Sequence, residues 1–327
     1  MQVKWGIIGC GDVTEQKSGP AFQKIDNSEI IAVMRRNALL AEDYAKRHGI
    51  PKWYSNAEDL VNDPEVNAIY VATPPYAHLE YVKLAAEVGK PVYVEKPVGK
   101  SYDDCLKMNQ FCKKANIPLF TAYYRRAQSR FIKIKEIIDS GLIGGIEFVN
   151  IVFCSPALEE DYNRNALPWR VIPEFSGGGR FIDLASHTLD ILDFLIGPII
   201  SAKGIASNQA NLYQAEDIVS GIFMFNKNIH GSGTWSFTSG QKIDQVLIVG
   251  EIGFIKFGIF SPEEIEIKTI KKSELLLFER PEHVELPMIQ TIVDELIGKG
   301  KSSSHGDNAL RTWWVMKELL KENMHNK

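Results

Sequence analysis

The chain contains little cysteine and no long apolar run, and both absences narrow the class of protein. Four cysteines among 327 residues are too few for a disulfide scaffold, and Cys10, Cys105, Cys112 and Cys154 lack metal-site spacing. No apolar run of about 18 residues and no signal-peptide-like segment is present, so we expect a cytoplasmic protein that neither spans nor binds a membrane. Because 37 basic and 41 acidic residues leave a net charge of only −4, nucleic-acid binding is not indicated.

Closely spaced glycines follow a short apolar run near the start of the chain. Residues 3–8 predict a buried parallel strand, and the next segment is Gly9-Cys10-Gly11-Asp12-Val13-Thr14. Glycine permits a sharp turn and lets phosphate oxygens approach the backbone amides, while a helix start offers N–H groups. Thr14 departs from the glycine or alanine of the dinucleotide fingerprint, so helix and strand are expected to pack slightly wider. We interpret this turn as a dinucleotide seat, although a Gly-x-Gly alone is more often an ordinary turn.

The residues after the second predicted strand indicate which dinucleotide binds. Residues 29–34 are apolar after Glu29, and Arg35 and Arg36 follow, with Arg35 24 residues after Gly11. NAD-specific sites place a carboxylate about 20 residues on, where it bonds the ribose hydroxyl. Arginine can instead grip a 2′-phosphate with its planar fork. We therefore predict NADP, with NAD as the second choice; the alternative is that both arginines are ordinary solvated charges.

Strand and helix patterns alternate up to residue 122. The predicted strands are residues 68–72, 91–94 and 117–122, and the predicted helices are residues 39–48, 57–62, 76–88 and 102–115. This alternation predicts a doubly wound parallel sheet, whose ligands bind beyond the carboxyl ends of the strands. Three polar elements fall at those ends: Thr73-Pro74-Pro75, Glu95-Lys96-Pro97 and Tyr123-Tyr124-Arg125-Arg126.

The second part of the chain has a different pattern. Strand-like runs joined by short turns predict an antiparallel meander. The runs are residues 146–153, 199–207, 217–225, 231–238, 244–249, 253–258 and 264–270. Helices are predicted at residues 130–140, 181–196, 288–297 and 307–323. We therefore expect two abutting domains, residues 1–122 and residues 123–327.

Together these motifs resemble the Gfo/Idh/MocA oxidoreductase family, the relatives of glucose-fructose oxidoreductase and inositol dehydrogenase. The matching elements are Ile7-Ile8-Gly9-Cys10-Gly11, Ala72-Thr73-Pro74-Pro75 with His78, Glu95-Lys96-Pro97, Trp169-Arg170, and Gly177-Gly178-Gly179 followed by Asp183 and His187. The resemblance implies an α/β fold with an N-terminal Rossmann domain. It also implies a C-terminal α+β domain, with an open, mostly antiparallel sheet, that binds substrate and forms a homo-oligomer.

The resemblance further implies a nicotinamide cofactor and a sugar, polyol or related carbonyl or alcohol substrate. The expected cofactor contacts are Gly9, Gly11, Asp12, Val13, Thr14, Arg35, Arg36, Thr73, Pro74, His78, Glu95, Lys96, Trp169 and Arg170. For Trp169, packing between domains is an equal alternative. Ile222, Met224, Trp235 and Phe237 are candidates for the contact between subunits, although periodicity alone does not separate that role from an internal core.

Lys96 is the first candidate catalytic residue. Reduction of a carbonyl by hydride transfer needs a proton donor at the oxygen, where negative charge develops. Lys96 follows a buried strand, so its ammonium is expected beside the nicotinamide, where it donates a proton in reduction and accepts one in oxidation. The resemblance implies a cis Lys96–Pro97 bond. The alternative reading is a surface lysine.

His187 and Asp183 are the other catalytic candidates. They are four residues apart and share one face of a predicted helix, and an imidazole ordinarily titrates near neutrality. By resemblance His187 contacts a substrate hydroxyl and acts with Lys96, while Asp183 orients one of them or binds substrate. Which of Lys96 and His187 delivers the proton stays open, as does a purely structural His–Asp pair. Because no nearby Cys or His completes a zinc site, no metal is expected.

Further substrate contacts are expected at Tyr124, Arg126, Tyr162 and Asn163. Tyr124 stands where many family members carry a polar residue, often asparagine, which leaves the inherited contacts there open. Tyr162 and Asn163 lie in a polar loop that either caps the pocket or is merely solvated. The predicted function is NADP-favouring oxidation or reduction of a carbohydrate-like substrate. The alternatives are a dihydrodiol-type dehydrogenase and a dinucleotide-sensing regulator, but a regulator is expected to lack Lys96 or His187.

Overall fold

The computed structural model describes residues 2–260 and 264–324, which form two compact units. The first unit comprises the residues up to Gln128 together with Pro281–Leu310. The second comprises Ser129–Arg280 together with the residues from Arg311 onward. The sequence places a single boundary after residue 122 and does not anticipate that residues 281–310 return to the first unit.

Fourteen strands and eleven α-helices lie within the described residues. The strands are β1 (Val3–Ile8), β2 (Ser28–Met34), β3 (Lys52–Tyr54), β4 (Ala68–Val71), β5 (Val92–Val94), β6 (Leu119–Thr121), β7 (Ile146–Cys154), β8 (Ile199–Ser207), β9 (Ile218–Phe225), β10 (His230–Ser236), β11 (Ile243–Gly250), β12 (Gly253–Phe257), β13 (Glu264–Thr269) and β14 (Ser273–Leu277). The helices are α1 (Asp12–Gln16), α2 (Gly19–Gln23), α3 (Ala38–His48), α4 (Ala57–Asn62), α5 (His78–Glu87), α6 (Tyr102–Lys114), α7 (Ser129–Asp139), α8 (Pro173–Ser176), α9 (Ser186–Leu195), α10 (Leu286–Leu296) and α11 (Gly306–Met324). No helix among these residues is both long and apolar enough to cross a membrane.

The first unit is built on a six-stranded parallel sheet in the order β3-β2-β1-β4-β5-β6. This order reverses direction between β1 and β4 and confirms the predicted doubly wound sheet. β3, which lies at one edge, is not predicted, because its three residues are at least partly exposed and present no apolar run. Side-chain caps set the start of several helices: Asn37 accepts the Leu40 amide at 3.2 Å to begin α3.

A core of aromatic and aliphatic side chains explains why α10 belongs to the first unit. Trp5, Phe22, Tyr70 and Tyr93 from the sheet and α2 form one buried cluster. The α10 side chains that join this cluster are Met288, Ile289, Ile292 and Val293. Burial of each such side chain contributes about 1.5–3 kcal/mol, so the apolar stripe of α10 is sufficient to bring this distant segment back.

The second unit is built on an eight-stranded sheet in the order β14-β13-β12-β11-β7-β10-β9-β8. All neighbouring pairs are antiparallel except β7 and β10, which run parallel. Buried residues alternate with more exposed ones along the strands, as expected when only one face packs on a core. Trp235 and Phe237 are buried, whereas Ile222 is 64% exposed on β9. The mostly antiparallel sheet is confirmed, and only its edge strand β14 escapes prediction.

Candidate active site

The glycine turn lies at the carboxyl ends of β1, β2 and β4. Gly9 has a φ of +98°, and a Cβ atom there would lie 2.9 Å from the Thr73 amide nitrogen, so only glycine fits. Gly11 caps the start of α1, and an added Cβ would meet nothing within 4 Å. The Thr14 hydroxyl donates to the Gly11 carbonyl oxygen at 2.8 Å and closes the turn. The backbone at Gly11 therefore faces open space above the sheet edge.

The side chain of Thr73 provides a test of whether a dinucleotide fits this turn. Its hydroxyl oxygen is buried and has no hydrogen-bond partner among the described residues. A buried hydroxyl normally has a hydrogen-bond partner. A hydroxyl without one, beside closely spaced glycines and the start of a helix, is the arrangement expected where a polar ligand binds. The residues present therefore fit the phosphates of a dinucleotide. Cys10 takes no part in this: burial raises the pKa of its thiol to about 11, and the thiol packs toward the Met34 carbonyl.

Two arginines stand at the end of β2. Both Arg35 and Arg36 are exposed. The Arg35 guanidinium donates to the Cys10 carbonyl oxygen at 3.4 Å, and the Arg36 guanidinium donates to the Tyr76 hydroxyl at 3.2 Å. The two cations thus lean toward the loops that follow β1 and β4, at the rim of the glycine turn.

Lys96 follows β5 at the same edge of the sheet. The side chain is half-buried, and the Lys96–Pro97 bond is cis, in agreement with the resemblance. Glu95 is buried beneath it: one carboxylate oxygen accepts the Tyr70 hydroxyl at 2.7 Å, and the other accepts the Lys96 amide at 3.1 Å. Because its side chain is directed into the unit, we revise the predicted cofactor contact of Glu95 to a support for the lysine loop.

His78 joins the loop after β4 to the loop after β5. It is fully buried, with its ring nitrogens 2.6 Å from the Thr73 carbonyl oxygen and 3.0 Å from the Val98 carbonyl oxygen. Burial lowers the pKa of the imidazole. Since both nitrogens face backbone oxygens, we also revise its predicted cofactor contact to an indirect one, namely holding the Thr73 loop and the lysine loop together.

In the second unit, a short turn precedes the glycine-rich segment. The Arg170 guanidinium lies over the Trp169 ring at 4.6 Å, and its Nε atom is 3.7 Å from an Asp183 carboxylate oxygen. Asp183 belongs to a π-helical turn, Phe181–Ala185, which runs into α9 just before His187. The sequence predicts one continuous α-helix here, and the wider turn is a feature often found at functional sites.

His187 and the glycines are both tightly packed. His187 is 3% exposed and meets the Phe260 ring edge-on, with ring centroids 5.9 Å apart. A Cβ on Gly178 would lie 2.5 Å from Ile182, and one on Gly179 would lie 2.6 Å from the Ala215 side chain. Gly178 and Gly179 are therefore needed for close packing within the unit. This role does not conflict with the close approach to a ligand that glycine also permits.

A polar loop of the second unit lines an open depression of about 780 Å³ that includes Tyr162 and Asn163. Asp161 anchors this loop, because its buried carboxylate forms an ion pair with the Arg180 guanidinium at 2.6 Å. Arg180 also reaches Glu160 at 3.0 Å. The sequence analysis does not select Arg180. Its position directly after three glycines is the feature of the sequence that could have identified it.

The remaining predicted residues lie in the first unit. Tyr124 begins a short turn after β6, and the Arg125 guanidinium lies over its ring at 4.9 Å. Arg126 is buried and donates to the Ser303 carbonyl oxygen at 3.2 Å, which ties the turn to the returning segment. We therefore revise its predicted substrate contact to a structural one, while Tyr124 stays a predicted contact. No cluster of three or more His, Cys, Asp or Glu side chains suited to a metal occurs within residues 2–260 and 264–324.

A glycine-turn Rossmann unit, a lysine at its sheet edge and a second, antiparallel unit define the class of two-domain NAD-binding oxidoreductases. The family model described as "Oxidoreductase family, NAD-binding Rossmann fold" matches residues 3–123. The model of the Gfo/Idh/MocA C-terminal domain matches residues 131–256. The chain belongs to the Gfo/Idh/MocA oxidoreductase family.

Individual relatives agree with this assignment. The chain is 37% identical over 323 residues to oxidoreductase P35 of Formosa agariphila, which covers 96% of this chain and 97% of the relative. It is 26% identical over 275 residues to trans-1,2-dihydrobenzene-1,2-diol dehydrogenase of Mus musculus, covering 83% and 80% of the two chains. A solved levoglucosan dehydrogenase, in complex with NADH and levoglucosan, superposes with a TM-score of 0.88 at 19% identity, over 100% of this chain and 98% of that one. At 19% identity this likeness supports the fold alone.

Proposed function

We propose that this protein is an NADP-favouring oxidoreductase that interconverts a carbonyl and an alcohol on a sugar, polyol or related compound. The observation that carries the proposal is Lys96, a half-buried amine at the sheet edge that also bears the open glycine turn. When bound, the nicotinamide supplies or accepts the hydride. In this proposal the first unit supplies most of the cofactor contacts, and the second unit supplies most of the substrate contacts.

The phosphate-binding part of the proposal rests on the first unit. Gly9 and Gly11 leave room for the pyrophosphate, whose oxygens are bound by amides of the turn and by the Thr73 hydroxyl. Arg35 and Arg36 bind the 2′-phosphate that distinguishes NADP from NAD, because each offers a charged, forked donor at the rim of the turn. Asp12, Val13, Thr14, Pro74, Trp169 and Arg170 complete the proposed cofactor contacts.

Proton handling falls to Lys96 and His187. In reduction one of these groups gives a proton to the oxygen that becomes the hydroxyl, and in oxidation it takes that proton back. Asp183, which faces Arg170 at 3.7 Å, orients the acting group or accepts a substrate hydroxyl. Which of the two delivers the proton is an open part of the proposal, and the variants below separate them.

Two observations support a hydroxylated substrate. Carboxylate, imidazole, phenol and amide groups, which hydrogen-bond hydroxyls, are supplied by Asp183, His187, Tyr124, Tyr162 and Asn163. The names of the mouse relative and of the solved structure specify a dihydrodiol and levoglucosan, both ring compounds that carry hydroxyl groups. The mouse relative makes a dihydrodiol-type dehydrogenase the second candidate. A panel of aldoses, inositols, anhydro-sugars and trans-dihydrodiols, followed by the absorbance of the reduced cofactor, distinguishes the two.

The direct test of the function is the Lys96→Met variant. We expect NADPH affinity to stay within about threefold of wild type while turnover falls at least 10²-fold, the scale of a lost general acid or base. Lys100→Met, in the same loop, is the matched control and should keep its turnover. His187→Ala, measured beside it at several pH values, shows which group titrates in the reaction. Unchanged turnover in Lys96→Met would remove the lysine from the chemistry.

The open face of the second unit is the proposed site of homo-oligomerisation. Phe148 and Ile222 are exposed there and line, with Met224, a shallow groove of about 380 Å³. An apolar patch on a sheet can bury itself against a second copy related by two-fold symmetry. Light scattering after size exclusion should give a dimer or larger species for wild type and a smaller one for Ile222→Lys. A monomeric wild type would contradict the proposal.

A further inference from the structure

A second buried carboxyl group lies beneath the lysine loop. Glu285 immediately precedes α10 and is 1% exposed. Its side chain accepts the Tyr93 hydroxyl at 3.2 Å. The Tyr93 ring stacks on the ring of Tyr70, whose hydroxyl donates to Glu95, with centroids 5.0 Å apart, so the two carboxyl groups lie near each other. Two carboxyl groups can share a hydrogen bond only when one of them carries a proton. A hydrogen bond between this pair therefore requires one proton in the interior of the first unit.

The surroundings of the pair favour the neutral form of Glu285. Burial, followed by the nearby charge of Glu95, raises the pKa of Glu285 well above its ordinary value. The hydroxyls of Tyr93 and Tyr70 face the pair, and Lys17 is the cation whose charge opposes the shift. One negative charge and one proton thus satisfy two carboxyl groups that would repel each other if both were ionised.

The consequence reaches Lys96 through Glu95. The carboxylate of Glu95 is held by the Tyr70 hydroxyl and by the Lys96 amide, and Glu285 lies near it, on the hydroxyl of the stacked Tyr93. The Tyr70 hydroxyl in turn lies 3.1 Å from the Ser18 hydroxyl, at the start of α2. These contacts connect the helix pair that follows the glycine turn with the peptide that precedes the lysine side chain.

We propose that Glu285 is a positioning residue for Lys96: as a neutral acid it donates a hydrogen bond to Glu95, which then holds the Glu95–Lys96 peptide in one orientation. The inference rests on the proposed catalytic role of Lys96. Glu285 itself touches neither substrate nor cofactor in this scheme. Removal of the donor leaves Glu95 with one buried partner fewer and lets the lysine loop reorient.

Two substitutions at Glu285 distinguish the loss of its hydrogen-bond donor from the loss of its side-chain volume. Glu285→Gln keeps a donor of the same shape, so we expect turnover within about threefold of wild type. Glu285→Leu removes the donor but keeps an apolar volume, so turnover should fall by about tenfold or more, with the KM for NADPH changed by less than about threefold. Asn109→Ala, at a buried residue of α6 that donates to the Gly306 carbonyl oxygen at 3.0 Å, is the stability control and should lower the Tm without lowering turnover.

A spectroscopic readout separates this inference from the proposed function. Infrared spectra of the wild-type holoenzyme should contain the carbonyl band of a neutral, buried carboxylic acid, which persists in Asn109→Ala and disappears in Glu285→Gln. Absence of that band, or equal turnover of Glu285→Leu and wild type, would overturn the role of Glu285. So would equal loss in the Gln and Leu variants. Full turnover of Lys96→Met would remove Lys96 from the proposed chemistry, and the positioning role of Glu285 with it, whereas a loss in Lys96→Met beside full turnover of Glu285→Leu would overturn the role of Glu285 alone.

Discussion

The substitution Glu285→Gln should change the pH dependence of stability in a direction opposite to that of an ordinary surface carboxylate. In the folded protein burial keeps Glu285 protonated well above its ordinary pKa of 4.5. In the unfolded chain the same group ionises near that value. Between these two pKa values the folded state holds one more proton than the unfolded state, so the free energy of unfolding of the wild type falls as the pH rises.

The size of this pH effect follows from the difference of one bound proton between the folded and the unfolded state. The fall is roughly 1.4 kcal/mol for each pH unit within this window. Glutamine binds no proton, so its contribution is independent of pH. Stability attributable to the neutral acid is fully present below the unfolded pKa and is lost as the pH rises toward the folded pKa. We expect the free energy of unfolding of the Gln variant to gain on that of wild type as the pH rises above the unfolded pKa, and the gain to stop once the pH exceeds the folded pKa.

Urea unfolding of both proteins at a series of pH values from about 4.5 upward measures this difference, provided that the m-values agree. Because the chain has two units, hydrogen exchange of the amides in β5 reports on the first unit specifically. Asn109→Ala should run parallel to wild type at every pH. A difference in the free energy of unfolding between Glu285→Gln and wild type that stays constant with pH would show that Glu285 ionises alike in the folded and unfolded states. That result would refute the reasoning.

Three further results are expected from other parts of the structure. Arg35→Ala should weaken NADPH binding by about tenfold or more through loss of a charged hydrogen bond, with NADH binding nearly unchanged, and Lys46→Ala on α3 serves as the control in the same titrations; equal losses for both cofactors would contradict the 2′-phosphate assignment. The thiol of Cys10, whose pKa burial raises to about 11, should resist a maleimide at pH 8 in the native protein and react after unfolding, and rapid native labelling at this position would contradict its burial. Arg180→Met should destabilise the second unit by about 3–5 kcal/mol, because it leaves the buried Asp161 carboxylate without its cation, and a change below about 1 kcal/mol in urea unfolding would show that the pair is not needed.

Local patterns were sufficient for the class of fold because each pattern carries its own physical cause. Buried parallel strands read as continuous apolar runs, and half-buried antiparallel strands alternate. That difference separates residues 3–122 from the meander that begins at β7. The strands that escape prediction, β3 and β14, are short edge strands. β3 is only three residues long, and the leucine run of β14 does not alternate with polar residues and leaves Leu275 and Leu277 exposed. The glycine turn and Lys96 were also recognisable, because backbone conformation and position at a strand end are properties of nearby residues.

What only the tertiary structure decided are the partners of buried polar groups. Nothing near Glu95 in the sequence indicates that its carboxylate turns inward to Tyr70, or that Glu285 arrives from a segment almost two hundred residues away (192 separate Tyr93 from Glu285). His78 similarly reads as a ligand contact until both of its ring nitrogens are seen against backbone oxygens. Periodicity reports which face of an element is buried, but not which group across the core accepts its hydrogen bonds. That pairing depends on how α10 packs onto the sheet, and it sets both the proton of Glu285 and the placement of Lys96.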